Sequence, residues 1–396
     1  MELKNIFNTD NFGQVLNDIA NNSFIGQKFL VVTTKFLNQL YKNKIALLKN
    51  NANANFIILE DNACNSFVFY NLVASAIEDN IGFIASFGAG NLCDIVKSVA
   101  THNSLPYILI PSAVSSGGYL LNSNYVYKNN LIETQNCNMP AFVIVDNLVI
   151  QNTPNKMALG ALGELCGYLI DILDLSYLKH FKNVNVEYSN LKYIENIVKE
   201  FVLLPSTGII SDSGKINLFK ALLKCQIASN ICGLKVSSRN SFVMLFQTLN
   251  NFKLSHGEGS FICSMVLGGL FSIFFNAKAI TLSQLPNIEK RVAKLSAITN
   301  KNTAYNKINI ESYNTHKISL VFQGIKAGME TLSKKYTNII NNCFKTYKNT
   351  LKDKGFVLSE QISQVALNNA LTLCPDLYEN DNILTFMKNL GLLEFL

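Results

Sequence analysis

Tryptophan is absent from this 396-residue chain, and arginine nearly so: Arg239 and Arg291 are the only two among 34 basic residues. The net charge of +7 is mild for the length, and no dense Lys/Arg run occurs, so no nucleic-acid partner is expected. There is no Cys-x-x-Cys pair. The nine cysteines are odd in number and scattered, with Cys166, Cys225, Cys232 and Cys263 inside apolar runs, which reads as free buried thiols in a reducing cytosol. The start, Met1-Glu2-Leu3-Lys4-Asn5, lacks a signal-peptide core. The most apolar stretch, 261–280, is broken by Ser264, Gly268, Gly269, Ser272 and Asn276, so it is read as a buried core helix and no membrane span is expected. A cytoplasmic protein is expected. Charged residues make up only 15% against 48% hydrophobic, which excludes wholesale disorder and supplies a large core.

The apolar runs are organised. Phe29–Thr33, Asn55–Leu59, Ile81–Phe87, Tyr107–Ile110 and Ala141–Val145 read as strands, with amphipathic stretches near 36–48, 65–79 and 92–102 between them. Strand and helix in alternation, with strands apolar almost throughout, predict an α/β domain whose parallel sheet is covered on both faces. After Pro154 the strand pattern stops, and helical patterns follow over 155–176, 190–204, 215–233, 241–252 and 259–275. Two domains are expected, 1–152, an α/β domain, and 153–396, an all-helical domain, with the ligand cleft between them.

The strongest chemical signal is Ser86-Phe87-Gly88-Ala89-Gly90-Asn91-Leu92-Cys93-Asp94-Ile95-Val96-Lys97, a strand running into a glycine-spaced turn and then a helix. Glycines at 88 and 90 let the backbone approach a diphosphate, and the first amides of the helix supply an anion site. The turn follows the third predicted strand, unlike the ordinary Gly-x-Gly-x-x-Gly fingerprint after the first.

Gly-x-Gly-x-x-x-Asp-x-x-Lys resembles the diphosphate segment of the superfamily containing glycerol-1-phosphate dehydrogenase, iron-containing alcohol dehydrogenases and 3-dehydroquinate synthase. Later segments agree in order. Leu105–Tyr119 resembles the family's loop beside the nicotinamide, Pro140–Asp146 with Thr153-Pro154 the passage into the helical domain, Gly160-Ala161-Leu162-Gly163-Glu164 with Asp174 its Gly-x-Gly-Asp…Asp segment, and His256-Gly257-Glu258 its His-Gly-Glu. The resemblance implies a Rossmann-like domain followed by a helical one, NAD or NADP as cofactor, and a divalent metal, zinc or iron, that polarises the substrate oxygen. It places the dinucleotide at Thr34, Gly88, Gly90, Asn91, Asp94, Ser112, Ser115 and Ser116, and metal and catalysis at Glu164 and His256, with Asn240 as a stand-in ligand. Thr34 stands near the adenosine ribose and leaves NAD against NADP open.

Departures from the pattern are specific. The family's earlier histidine falls within Ser237-Ser238-Arg239-Asn240-Ser241, where there is none; the chain's histidines are His102, His180, His256 and His316. Gly117 replaces the aspartate of the nicotinamide loop. With two protein ligands, any metal is expected to be weakly held. Three functions are weighed: a dehydrogenase acting on a small phosphorylated ketone such as dihydroxyacetone phosphate; a member that has lost metal and catalysis and acts as a nucleotide-binding or regulatory protein; and a 3-dehydroquinate synthase-like cyclase or lyase, against which Gly167 and Leu245 stand where that branch keeps a lysine and a histidine. A homo-oligomer stays open.

Overall fold

The computed structural model describes residues 5–61, 67–115, 118–128, 131–181, 184–202, 204–232, 237–277, 288–299, 315–353, 361–378 and 382–395. Ser116 and Gly117 lie outside the described residues. The chain forms two compact units, one of Met1–Lys128, Ile132–Ala158 and Ile209–Ile227, the other of Asn129–Leu131, Leu159–Gly208 and Ala228–Leu396.

The first unit holds a six-stranded parallel sheet in the order β1-β8-β5-β4-β2-β3: β1 Ile6–Thr9, β2 Lys28–Thr34, β3 Ala54–Leu59, β4 Ile81–Gly88, β5 Tyr107–Pro111 and β8 Phe142–Asp146. All five expected strands are present. The edge strand β1 and the two-stranded sheet of β6 (Ser123–Lys128) and β7 (Leu131–Asn136) were not expected. The sequence Ile-Phe-Asn-Thr of β1 is short and half polar, and its pairing with β8 (Ile6 opposite Val143) spans most of the unit's length.

Helices α1 (Phe12–Ser23), α2 (Lys35–Leu40), α3 (Lys42–Lys49), α4 (Phe67–Ala74), α5 (Asn91–His102) and α6 (Asn147–Gln151) intervene. The helical stretch expected at 36–48 breaks at Tyr41, which ends α2 by bonding Leu37 O and packs its ring edge-on to Phe87, 5.5 Å between centroids. Aromatic stacking fills the core under the sheet: Phe29 lies parallel to Phe83 at 4.9 Å, and Phe12 meets Phe87 at 4.4 Å. Asp146, fully buried at the end of β8, accepts from the backbone of Phe12 and Val149 and pairs with Lys44, so one carboxylate starts both α1 and α6.

From β2 the chain moves outward to β3, then returns past β2 to β4 and on to β5. The order reverses between β2 and β4, which makes the carboxyl ends of these strands the switch point of the sheet. Thr33 fastens the pair there, its hydroxyl donating to Phe87 O at 2.9 Å.

Among the described residues every regular element after Asp146 is helical. The principal helices are α7 (Asn155–Phe181), α8 (Tyr188–Val202), α9 (Ser206–Ile209), α10 (Asp212–Ile231), α11 (Ser238–Leu249), α12 (His256–Asn276), α13 (Ile288–Thr299), α14 (Thr315–Asp353), α15 (Gln364–Leu377) and α16 (Ile383–Asn389). Helix α12 has the length and hydropathy of a membrane span, but Phe261, Cys263, Leu267, Phe271 and Phe275 are buried inside the second unit, as a core helix requires. The eight described cysteines are free and buried.

Candidate functional site

In the first unit, Gly90 has φ +52° and ψ −123°, a backbone region that L-residues avoid, and nothing lies within 4 Å of where a Cβ would project. Gly90 is the N-cap of α5 and offers no side-chain cap, so the first amides of α5, Asn91 and Leu92, stand at the positive end of a helix dipole, while the Gly90 backbone bonds the Tyr119 hydroxyl. Gly88 is needed for another reason. A Cβ there would meet Leu92 Cδ2 at 2.5 Å, so its smallness seats the helix on the strand end.

Around this turn the structure gathers most of the residues expected from sequence. Ser112 donates its amide to Gly88 O at 2.8 Å, which binds the loop after β5 to the glycine turn. The Ser115 hydroxyl lies 2.8 Å from the Tyr119 hydroxyl, and Val114 N donates to Thr153 Oγ1. Asn91 is exposed beside Gly90. Thr34 stands at the end of β2, where its hydroxyl caps α2 by accepting from Leu37 N at 3.3 Å. Lys97 turns away from the turn: its ammonium donates to Leu121 O and, at 2.9 Å, to Ser123 O, anchoring the start of β6. Asp94, in the first turn of α5, is pushed up to about 7 by burial, with Lys97 opposing.

In the second unit, Gly160, Gly163 and Gly167 share a face of α7. A Cβ on Gly163 would meet Gly257 O and Phe261 Cβ at 2.6 Å, and one on Gly257 would meet Gly160 O at 2.2 Å, so α7 and the start of α12 touch backbone to backbone. The His-Gly-Glu segment opens α12 at this crossing. Glu258 closes a capping box with Ser255, its carboxylate accepting from Ser255 N at 2.9 Å. His256 lies one residue inside the cap, with Nδ1 3.0 Å from Gln247 Oε1 and Nε2 3.5 Å from Glu164 Oε2.

Arg239 sits at the centre of this crossing. It is 1% exposed, one of the largest fully buried side chains described. Its Nε and NH2 donate to the two oxygens of Asp171 at 3.1 and 2.7 Å, a bidentate pair, while NH1 donates to Glu164 Oε2 and Ser260 Oγ, both at 2.8 Å. The guanidinium also lies 5.5 Å over the ring of Tyr168. Gly167 makes the passage: a Cβ there would stand 2.4 Å from Arg239 Cδ. Burial by itself would raise the Glu164 carboxyl, but Arg239, His256 and Ser260 together hold it below its ordinary value. Burial likewise holds the His256 imidazole below the usual histidine range, Glu164 opposing and Arg239 reinforcing.

Asp174, a little further along α7, accepts from Ser238 N at 2.7 Å, Ser238 Oγ at 2.8 Å and Ile383 N at 3.0 Å. These amides are the first of α11 and α16, so one buried carboxylate holds the starts of two helices. The other arginine repeats the theme: Arg291 Nε donates to Asp376 Oδ2 at 2.7 Å, and Lys388 lies 3.2 Å from the other oxygen of that carboxylate.

The donor set around Glu164 does not fit a divalent metal. Among the described residues no three His, Cys, Asp or Glu side chains converge on one point. Asn240 is engaged through its backbone, donating to Ser237 Oγ in the first turn of α11. An ion between Glu164 Oε2 and His256 Nε2 would face the guanidinium on the same oxygen. Unit charges 4 Å apart repel by about 4 kcal/mol at an effective dielectric of ~20, and a second charge on the ion doubles that. Arg239, Ser260 and Gln247 escaped the sequence reading as partners of this site. The available signal was the spacing of Glu164 and Asp171, two helical turns apart on one face of α7, in a chain with only two arginines.

Comparison with known proteins gives a consistent picture. The sequence profile described as iron-containing alcohol dehydrogenase matches residues 8–154. Glycerol-1-phosphate dehydrogenase [NAD(P)+] of Methanococcoides burtonii is 24% identical over 161 residues, 40% of this chain and 44% of that protein. Its counterpart from Pyrobaculum arsenaticum is 22% identical over 218 residues, 52% of this chain and 58% of its own. The matched stretch thus spans about half the length of these relatives. Among solved structures, sulfoacetaldehyde reductase from Bifidobacterium kashiwanohense in complex with NAD+ superposes with a TM-score of 0.58 at 14% identity, covering 99% of this chain and 96% of that one. Glycerol dehydrogenase from Schizosaccharomyces pombe gives 0.55 at 16% identity, covering 84% and 91%.

Proposed function

We propose that the chain is a divergent relative of the superfamily that holds the glycerol-1-phosphate dehydrogenases and the iron-containing alcohol dehydrogenases, that it binds a nicotinamide dinucleotide, NAD or NADP, on its α/β unit, and that it interconverts a small phosphorylated alcohol and its ketone. The observation that carries this reading is the Gly88-Ala89-Gly90 turn at the switch point of the sheet, with α5 left uncapped behind it. The amides of Gly90, Asn91 and Leu92 hold the diphosphate, and the missing Cβ at Gly90 lets it come close. Ser112 and Ser115 border the same turn; Thr34, at the neighbouring strand end, lies on the ribose side. The dinucleotide, when bound, gives or takes the hydride. No step is assigned to a metal, since the residues around Glu164 do not accommodate one.

That misfit supports a second reading, in which the protein keeps the nucleotide site and serves as a binding or regulatory subunit without redox turnover. Calorimetric titration with NAD+ and NADP+, followed by nicotinamide absorbance with dihydroxyacetone phosphate, separates the two. Binding with turnover supports the dehydrogenase, binding without turnover supports the second reading, and no binding to the wild type sinks both. In Gly90→Val affinity should fall at least roughly tenfold, about 1.4 kcal/mol, with circular dichroism and thermal melting recording how far the strain of a branched residue at positive φ contributes.

A further inference from the structure

The divalent cation that this fold is expected to carry has a counterpart inside the chain. We propose that the guanidinium of Arg239 is the resident cation of the helical unit, standing where a metal ion would otherwise be held by Glu164 and His256, so that the unit assembles without zinc or iron. The proposal rests on the geometry of the second unit alone and stands apart from dinucleotide binding by the first.

The argument is one of position, charge and space. Arg239 lies in the first turn of α11, inside the five residues Ser237–Ser241 where the resemblance leads one to expect a metal-binding histidine. From there its NH1 reaches Glu164 Oε2, the oxygen that also faces His256. Two carboxylates, Glu164 and Asp171, are buried at this crossing, and the guanidinium bonds to both. Four hydrogen bonds leave from its nitrogens to Glu164, Asp171 and Ser260, so the cation is oriented as well as neutralised. The room it needs is built in, because Gly167 leaves open the volume that the arginine stem crosses. A metal site that had merely lost a ligand would show no such matched cavity. Here the place, the counter-charges and the space all belong to an arginine.

The experiment uses the full-length protein and the metals alone. Wild type, expressed in medium supplemented with zinc and iron, is desalted and assayed for metal content, then titrated with Co2+ and followed by its ligand-field spectrum. Arg239→His is treated in parallel, with circular dichroism to confirm folding. The expected result is negligible metal in the wild type, with melting unchanged by zinc or by a chelator, and about one equivalent of zinc with a tetrahedral cobalt spectrum in Arg239→His, since an imidazole then joins Glu164 and His256. One equivalent of tightly held metal in the wild type overturns the proposal. So does a folded Arg239→His variant that takes up no zinc, because the guanidinium would then not mark an ion's position. If that variant does not fold, the wild-type cobalt titration decides: no cobalt spectrum supports the proposal, and a tetrahedral one overturns it. Dinucleotide titration of the same samples reports on the first unit, so loss of either result is told apart from loss of the other.

Discussion

Replacing Arg239 by methionine keeps most of the side-chain stem and removes the charge, which isolates what the guanidinium does. Four charge-assisted hydrogen bonds vanish, and Glu164 and Asp171 are left buried without the guanidinium that bonds them both. Breaking a buried ion pair in this way costs about 3–5 kcal/mol. At about 2–4 °C per kcal/mol for a unit of this size, the midpoint of the helical unit should fall by ~6–20 °C, measured by differential scanning calorimetry. The pH dependence gives a second reading with a definite sign. In the wild type the Glu164 carboxyl is held below its unfolded value, so its contribution is present above about pH 4.5 and fades as pH falls through the folded value. In Arg239→Met the same carboxyl, buried without a cation, should lie above its unfolded value, so stability should rise as pH falls from 7 towards 5. Neutralising the partners as well, with Glu164→Gln and Asp171→Asn, should recover much of the loss, because a buried ion cluster replaced as a whole is close to neutral in energy. A loss under about 1 kcal/mol, or no recovery in the triple variant, would refute the view that this cluster is a charge-compensated unit.

Three further outcomes follow from other positions. Gly167→Ala puts a Cβ 2.4 Å from Arg239 Cδ; overpacking of this kind costs about 1–3 kcal/mol, and in urea unfolding the loss should be smaller when combined with Arg239→Ala than alone. Asp174→Ala strips one acceptor from the starts of α11 and α16; leaving buried amides unpaired costs ~1–3 kcal/mol each, and amide exchange should quicken at Ser238 and Ile383 together. Asp94, with its value near 7, is neutral below that pH and anionic above it. Affinity for the dinucleotide, measured by calorimetry, should therefore weaken as pH rises from 6 to 8, by roughly tenfold if the repulsion is ~1.4 kcal/mol, and Asp94→Asn should flatten that profile.

What could be read from the sequence was local. Strands β2, β3, β4, β5 and β8 of the parallel sheet are apolar runs bounded by helical patterns, and the run from Phe87 through Gly90 into Leu92 announces a tight turn between them. Both signals arise from neighbours in the chain, where periodicity and backbone freedom act. The misses depend on distant partners. Lys97 belongs to the expected diphosphate segment, yet its ammonium is drawn to carbonyls at 121 and 123. Arg239 meets Glu164 across 75 positions of sequence, through a slot that exists only because residue 167 lacks a side chain. Histidine spacing could show that a ligand was missing; it could not show what had replaced it.

Lysine occupies 32 of the 34 cationic positions, and the two that carry arginine are both interior, Arg239 against Glu164 and Asp171, Arg291 against Asp376. A lysine in either place would be free to give up its proton to escape the low dielectric, and could not fork across two carboxylate oxygens. Arginine does neither. A lysine at either position would thus leave a bare negative charge in the core once its proton is lost, so at these two sites the fold demands a particular cation and not merely a positive charge.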